Sequence, residues 1–255
     1  MKNKSFDNFF YLKDGKIHDI EDVQKEYKNN FGDISKYKGS MFCPECKKAE
    51  LSFTHKTSSR REFLSKLPTS SHVEGCSYIN DYASKKELRK YVKSLTDDQI
   101  QDRLESALNS LFNKQNQLNK EIMNSSENNP FVIEHVNINT GVSQRKAIPR
   151  KSIKSWFDKA YEGEVYIFYG RVKLEVKEIS KKENNKTYYK LIVKTKAKDG
   201  SWKEKTSIFR AYIKDDVDID SIYDIAVFGH IKFYKKFPEI NTETLSSIMF
   251  RKRKS

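Results

Sequence analysis

The chain has 255 residues, of which 36% are hydrophobic and 13% aromatic, with a mean hydropathy of −0.81 and a formal charge of +14. That length suffices for two modest domains, the aromatic content argues against disorder, and no run approaches the roughly 18 apolar residues of a membrane helix. The 49 Lys and Arg against 35 Asp and Glu favour a polyanionic partner, because neutralising phosphates releases counterions, and the expected setting is cytoplasmic.

Residues 1 to 40 read as short strands and a turn: Phe9 to Leu12, then Lys13-Asp14-Gly15-Lys16, then Ile17 to Ile20. An Asp-Gly pair between apolar runs is a hairpin signal. Ribbons this small commonly flank metal knuckles, because the ion replaces a core they cannot build.

All three cysteines follow within Phe42 to Tyr78. Three cannot all pair in one chain, and the N-terminal MKNKSFDNFF is too charged for a secretory signal, so a disulfide scaffold is not expected. Cys43-Pro44-Glu45-Cys46 has the two-residue gap that aims both sulfurs at one ion, and His72-Val73-Glu74-Gly75-Cys76 adds a nitrogen and a third sulfur. The spacing C-x2-C-x25-H-x3-C predicts a closed, structural Cys3His zinc site of Cys43, Cys46, His72 and Cys76. His55 is the rival fourth ligand; the compact H-x3-C pair mirrors the first pair and favours His72. A thioredoxin-like redox motif would need a βαβ pattern, and none surrounds these cysteines.

Helices come next. Ser84 to Glu87 resembles a capping box, and Thr96 to Gln99 repeats it. The second helix carries Ile100, Leu104, Leu108, Leu111, Leu118 and Ile122 at helical spacing, an apolar face for core packing. The polar Asn124 to Pro130 reads as a linker. The expected organisation is a zinc-ribbon-like module over 1 to 80, a helical connector over 81 to 124, and a barrel domain over 130 to 255.

Beyond the linker, Phe131 to Val136 reads as a strand and Ile148 to Phe157 as a short helix with Pro149 near its start. The pattern then turns to period two. Val165 to Lys177 is a long strand with Gly170 in its middle, followed by strand candidates at Tyr188 to Lys194, Ser207 to Ile213, Ile225 to Tyr234 and Leu245 to Phe250. Asp215 to Tyr223 is a place for a short helix. This is the pattern of a five-stranded OB-like β-barrel, with Gly229 meeting in the fourth strand the need that Gly170 meets in the first, and the chain as a whole is α+β. An SH3-like barrel or an open sandwich has a similar strand count.

Along the first of these strands Val165, Ile167, Tyr169, Arg171 and Lys173 share one side, which beyond Tyr169 is the plausible exposed one. Tyr169, Arg171 and Lys173, with Lys190 on the second strand and Lys232 on the fourth, are the candidate nucleic-acid groove, since an exposed aromatic beside cations suits stacked bases. Catalytic signals are sparse. Glu175-Val176-Lys177 is an E-x-K triplet with Asp158 as a speculative partner, and His230 suits a barrel face better than a general base.

Two resemblances add to this. The runs V-Y-I-F-Y-G-R-V and I-A-V-F-G-H-I-K-F within residues 164 to 251 resemble OB-fold domains that bind single-stranded nucleic acid, which implies aromatics on a strand face that stack bases. L-K-D-G-K-I-H, F-C-P-E-C and H-V-E-G-C resemble the N-terminal zinc module of competence CoiA-like proteins, which implies Cys43, Cys46, His72 and Cys76 as ligands. Those proteins continue into a nuclease domain, for which the middle of this chain has no recognisable counterpart. The expected function is non-enzymatic binding of single-stranded DNA or RNA. A protein-protein interaction or adaptor role is the alternative, and a metal-dependent nuclease of CoiA-like type the second.

Overall fold

A computed structural model describes residues 4–112, 129–136, 143–181 and 186–253. The order is β1 Ser5–Phe6, β2 Asn8–Tyr11, β3 Lys16–Asp19, α1 Ile20–Asn29, β4 Met41–Phe42, β5 Leu51–Thr54 and β6 Phe63–Lys66. Then come α2 Lys85–Ser94, α3 Asp97–Phe112, β7 Val132–Val136, β8 Ser143–Ala147 and β9 Arg150–Ser152. The long strands follow: β10 Val165–Lys181, β11 Lys186–Lys196, β12 Trp202–Phe209, β13 Tyr223–Tyr234, β14 Phe237–Thr242 and β15 Ile248–Lys252. The fold is mixed α+β, and among the described residues no helix is long and apolar enough to cross a membrane.

Contacts divide these elements into two units. The first comprises the described residues up to Asp81 together with those from 129 to Ala147; the second comprises Tyr82 to Phe112 and Ile148 to Arg253. The helices expected as a connector therefore pack with the C-terminal sheet, and the segment after the expected linker belongs with the unit that carries the three cysteines.

In the first unit β2 pairs with β3 and β4, β6 pairs with β1 and β5, and β7 with β8 forms a hairpin. The expected turn at Asp14-Gly15 is present, with Lys16 N donating to Asp14 Oδ1. Helix α1 was not expected: of its ten residues only Ile20, Val23 and Gln24 are buried, too sparse an apolar face to stand out by periodicity. Phe6, Phe9, Val23, Met41, Leu51 and Leu64 share a core with Cys43 and Cys76, so two ligand cysteines are built into the apolar interior.

In the second unit both helix starts are capped as read. Ser84 and Glu87 make a reciprocal capping box, and Thr96 and Gln99 exchange the equivalent bonds. On α3, Ile100, Leu104 and Leu108 are buried, whereas Leu118 and Ile122 lie outside the described residues, as does most of the expected linker. The helix is tied to the sheet by Gln101 Nε2, which donates to the carbonyl of Ile248 at 3.1 Å, and by Arg251, which donates to Asn109 Oδ1 at 2.6 Å.

The C-terminal sheet has seven strands, and its pairings run round a ring. β10 pairs antiparallel with both β11 and β13; β11 pairs with β12, β12 runs parallel to β14, and β14 returns to β13. Phe168, Val172, Leu191, Val193, Ile208, Val227 and Ile240 fill the interior. Gly229 is required where β13 meets β14: a Cβ there would stand 2.3 Å from the carbonyl oxygen of Asn241.

Three expectations for this region are corrected. Residues 148–157 contain no helix; β9 instead lies parallel beside β10, held as Ile167 N donates to the Pro149 carbonyl and Ile153 N to that of Tyr169. A distant strand partner overrides local preference there. The strand that closes the ring is β14, whereas the expected fifth strand is displaced to β15, which pairs with Tyr223 to Val227 of β13, ahead of the stretch that β14 takes. β14 was passed over because Pro238 interrupts it and Ile240 is its only fully buried apolar residue. Between β12 and β13 there is no helix; Arg210 and Asp215 instead pin the loop through a bidentate ion pair, both side chains 7% exposed.

Candidate metal centre and nucleic-acid interface

Local backbone brings the four expected ligands together. After β4, the chain turns at Cys43-Pro44-Glu45-Cys46, with Cys43 N donating to the Ala49 carbonyl and Lys47 N to the Cys43 carbonyl. The second knuckle folds on Gly75, whose φ of +81° suits glycine, as Cys76 N donates back to Val73. Sγ of Cys43 and Sγ of Cys76 are 4.0 Å apart, and His72 Nδ1 lies 3.4 Å from Cys46 Sγ and 3.5 Å from Cys76 Sγ. All four ligand atoms fall within 4.8 Å of one another, close enough to share a metal ion.

His55 is not part of this group. Its ring stacks on Tyr27 at 4.7 Å and 7°. The ring of His72, by contrast, lies in a stack with Phe6 and Tyr78 beside the sulfurs.

The three thiols perturb one another. Burial pushes the Cys43 thiol up to about 12. Contacts with Cys43 and Cys46, then burial, raise Cys76, while hydrogen bonds from Cys43 and Cys76 lower Cys46. A divalent ion held there would ionise all three sulfurs.

Glu45, inside the first knuckle, was not singled out by sequence reasoning. Its carboxylate accepts from Ser77 N and Ser77 Oγ, each at 2.6 Å, and from Asn129 Nδ2 at 2.7 Å. Asn129 Nδ2 also donates to the Gly75 carbonyl at 2.9 Å. One carboxylate and one amide thus clasp both knuckles from behind the ligands. The signal was unreadable from spacing, because Asn129 comes from a separate segment of the chain.

The five candidate nucleic-acid residues fall into two groups on the outer face of the ring. Tyr169, Arg171 and Lys173 follow one another along β10. Tyr169 is half-buried edge-on to Phe112, whose ring also lies 5.4 Å beneath the Arg171 guanidinium; Arg171 faces Asp224 at 3.4 Å and Lys173 faces Asp220 at 3.7 Å. Lys190 is paired with Glu239, which stands opposite exposed Lys232 in the β13–β14 register.

A third group is aromatic. Tyr188 tilts over Tyr212 at 5.0 Å and Phe209 at 6.0 Å, and Phe209 and Tyr212 remain 38% and 61% exposed. Lys190 is the register partner of both Phe209 and exposed Lys177. Tyr212 was hard to place from sequence because its position depends on Ala211, which takes a φ of +51° just after β12 ends.

The groups with catalytic potential are each accounted for locally. Glu175 pairs with Lys194, Asp158 accepts from Ala160 N at 2.9 Å, and His230 Nδ1 meets Glu243 Oε1 at 2.7 Å. Among the described residues, Cys43, Cys46, His72 and Cys76 form the one metal-competent cluster. Compared with known protein families, curated proteins and solved structures, the chain has no match.

Proposed function

We propose that this protein binds single-stranded nucleic acid through an OB-like barrel and carries one structural zinc ion in its first unit. The observation that carries the binding reading is an aromatic set on one side of β11 and β12: half-buried Tyr188 on β11, exposed Phe209 at the end of β12 and exposed Tyr212 just beyond it. β11 and β12 are the second and third strands of the ring, the face with which OB-folds bind oligonucleotides. Exposed rings set close together cost hydration without a partner, and every base offers a π-face to stack on them.

The OB reading is supported by the long β10, which pairs with strands on both its flanks, and by the close approach at Gly229. Lys177, Lys190 and Lys232 border the aromatic set or its flank as phosphate contacts, with Arg171 and Lys173 further along β10. Tyr169, engaged with Phe112, has the smaller part.

Zinc is favoured by the donor set. Zn–S bonds of about 2.3 Å and Zn–N bonds of about 2.0–2.1 Å imply tetrahedral edges of roughly 3.5–3.8 Å, near the 3.4, 3.5 and 4.0 Å separations of the ligand atoms. With four protein ligands no position remains for substrate, which makes the ion structural.

Fluorescence anisotropy with labelled single-stranded and duplex oligonucleotides tests the reading. Tighter binding of the single strand, weakened by Tyr212→Ala, is expected. Equal affinity for the duplex, or none for either, overturns it; a protein-interaction role then takes its place.

A further inference from the structure

Helix α1 ends at Asn29, and the chain turns back as Asn30 N donates to the Glu26 carbonyl and Gly32 N to that of Tyr27 at 2.7 Å. Between them Phe31 adopts a φ of +51°, an uncommon conformation for a bulky residue, and its ring is fully exposed. It borders an open, shallow cleft of about 420 Å³ in the first unit. The loop at Lys56 and Thr57 borders it too, and Tyr27 and Lys28 contribute from the helix. Buried Gln24 fastens the two sides, its Oε1 accepting from Lys56 N at 3.2 Å.

The chemistry of this cleft is narrow. Its aromatic surface is the ring of Phe31 and that of Tyr27, which His55 backs in a nearly parallel stack. Its charged lining residues are Lys28 and Lys56, and among the described residues no carboxylate lines it. Binding cavities for small molecules run from about 300 to 1,000 Å³, so this one suits a single planar unit rather than a helix or duplex. A flat group joined to an anion satisfies both features. We propose that the cleft holds one nucleotide of a single strand, its base against Phe31 and Tyr27 and its phosphate at Lys28 and Lys56.

This rests on the single-strand reading but places a contact in the metal-binding unit, apart from the aromatic set on β11 and β12. The test is photo-crosslinking of the full-length zinc-loaded chain to a bromodeoxyuridine-substituted oligothymidylate, with adducts mapped by mass spectrometry. Adducts within residues 27–31 or 55–57 are expected. Phe31→Ala should weaken anisotropy-measured affinity by about 5- to 140-fold, the range of one lost stack. Because Phe31 is fully exposed, that change leaves the core intact, and unchanged zinc content checks this. Lys28→Ala with Lys56→Ala should reduce the salt slope by about 0.7 per contact.

Adducts confined to residues 186–212, with wild-type affinity in Phe31→Ala, overturn the cleft and leave the proposed function standing. Adducts in the cleft alone keep it and remove the outer face of β11 and β12. A wild-type chain with no affinity for the oligothymidylate overturns both.

Discussion

Asn129 donates to Glu45 at 2.7 Å across 84 positions of sequence, and the same nitrogen holds the Gly75 carbonyl. Neither side chain is a ligand, yet together they fix the turns that carry Cys46 and Cys76. Outer-shell groups of this kind commonly contribute 10- to 100-fold in metal affinity. Glu45→Ala should therefore weaken zinc affinity by about that factor, as read by competition with a chromophoric chelator. Asn129→Ala should act in the same direction, and a double variant no weaker than either single one would show that the two act as a unit.

Removing the ion should unfold the first unit only. Structural zinc in small modules supplies roughly 10 to 16 kcal/mol of apparent binding free energy, and the core around Cys43 and Cys76 is small. The two tryptophans, Trp156 and Trp202, both belong to the second unit. Chelation, or Cys46→Ser, should open residues 4–81 to protease while leaving tryptophan emission unchanged. His72→Ala should lower zinc content below one equivalent, whereas His55→Ala should not.

The Arg210–Asp215 pair is the most buried ion pair described, and removing one partner strands the other. Arg210→Leu should lower the stability of the second unit by about 3–5 kcal/mol, measured by urea denaturation followed at tryptophan. Gly229→Ala should be similarly severe, because its Cβ meets backbone rather than a movable side chain.

Acid should loosen the same unit through Glu243. Burial by itself would raise this carboxyl, but His230 and Arg89 outweigh it and hold the group below its ordinary 4.5. A carboxylate lowered in the folded state contributes stability that is present above its unfolded value and lost as pH falls through the folded one. Stability should thus decline on acidification below about pH 4.5, and Glu243→Gln should be less stable at neutral pH yet show a flatter slope in that window.

For the outer face, Phe209→Ala and Tyr212→Ala should weaken single-strand binding by about 1–3 kcal/mol each with little change in salt slope. Lys177→Ala and Lys232→Ala should reduce the slope by about 0.7 each while preserving the preference for single strands. A titration series across salt concentrations separates the two classes.

The features legible in advance were those written in local spacing. Four ligands announce themselves by two-residue and three-residue gaps, and both helix caps by a Ser or Thr three places before Glu or Gln. What could not be read depended on distant partners: β9, whose Arg150, Lys151 and Ser152 lie beside β10, and β14, which pairs with β12 and β13. Alternation along β10 sets Tyr169 beside buried Phe168, but α3, which sets Phe112 against Tyr169 and Arg171, comes from before the expected linker.

Because each unit is assembled from two stretches of chain, synthesis imposes an order on events. His72 and Cys76 leave the ribosome well before Asn129, and α2 and α3 emerge in the interval. The nascent chain thus presents Cys43, Cys46, His72 and Cys76 before the amide that clasps their turns, and before Ala147, whose N–H donates to the Asp81 carbonyl, exists at all. Metal capture can come first and its fastening later, so a cell short of zinc at the moment of translation would leave the hairpin nothing ordered to close upon.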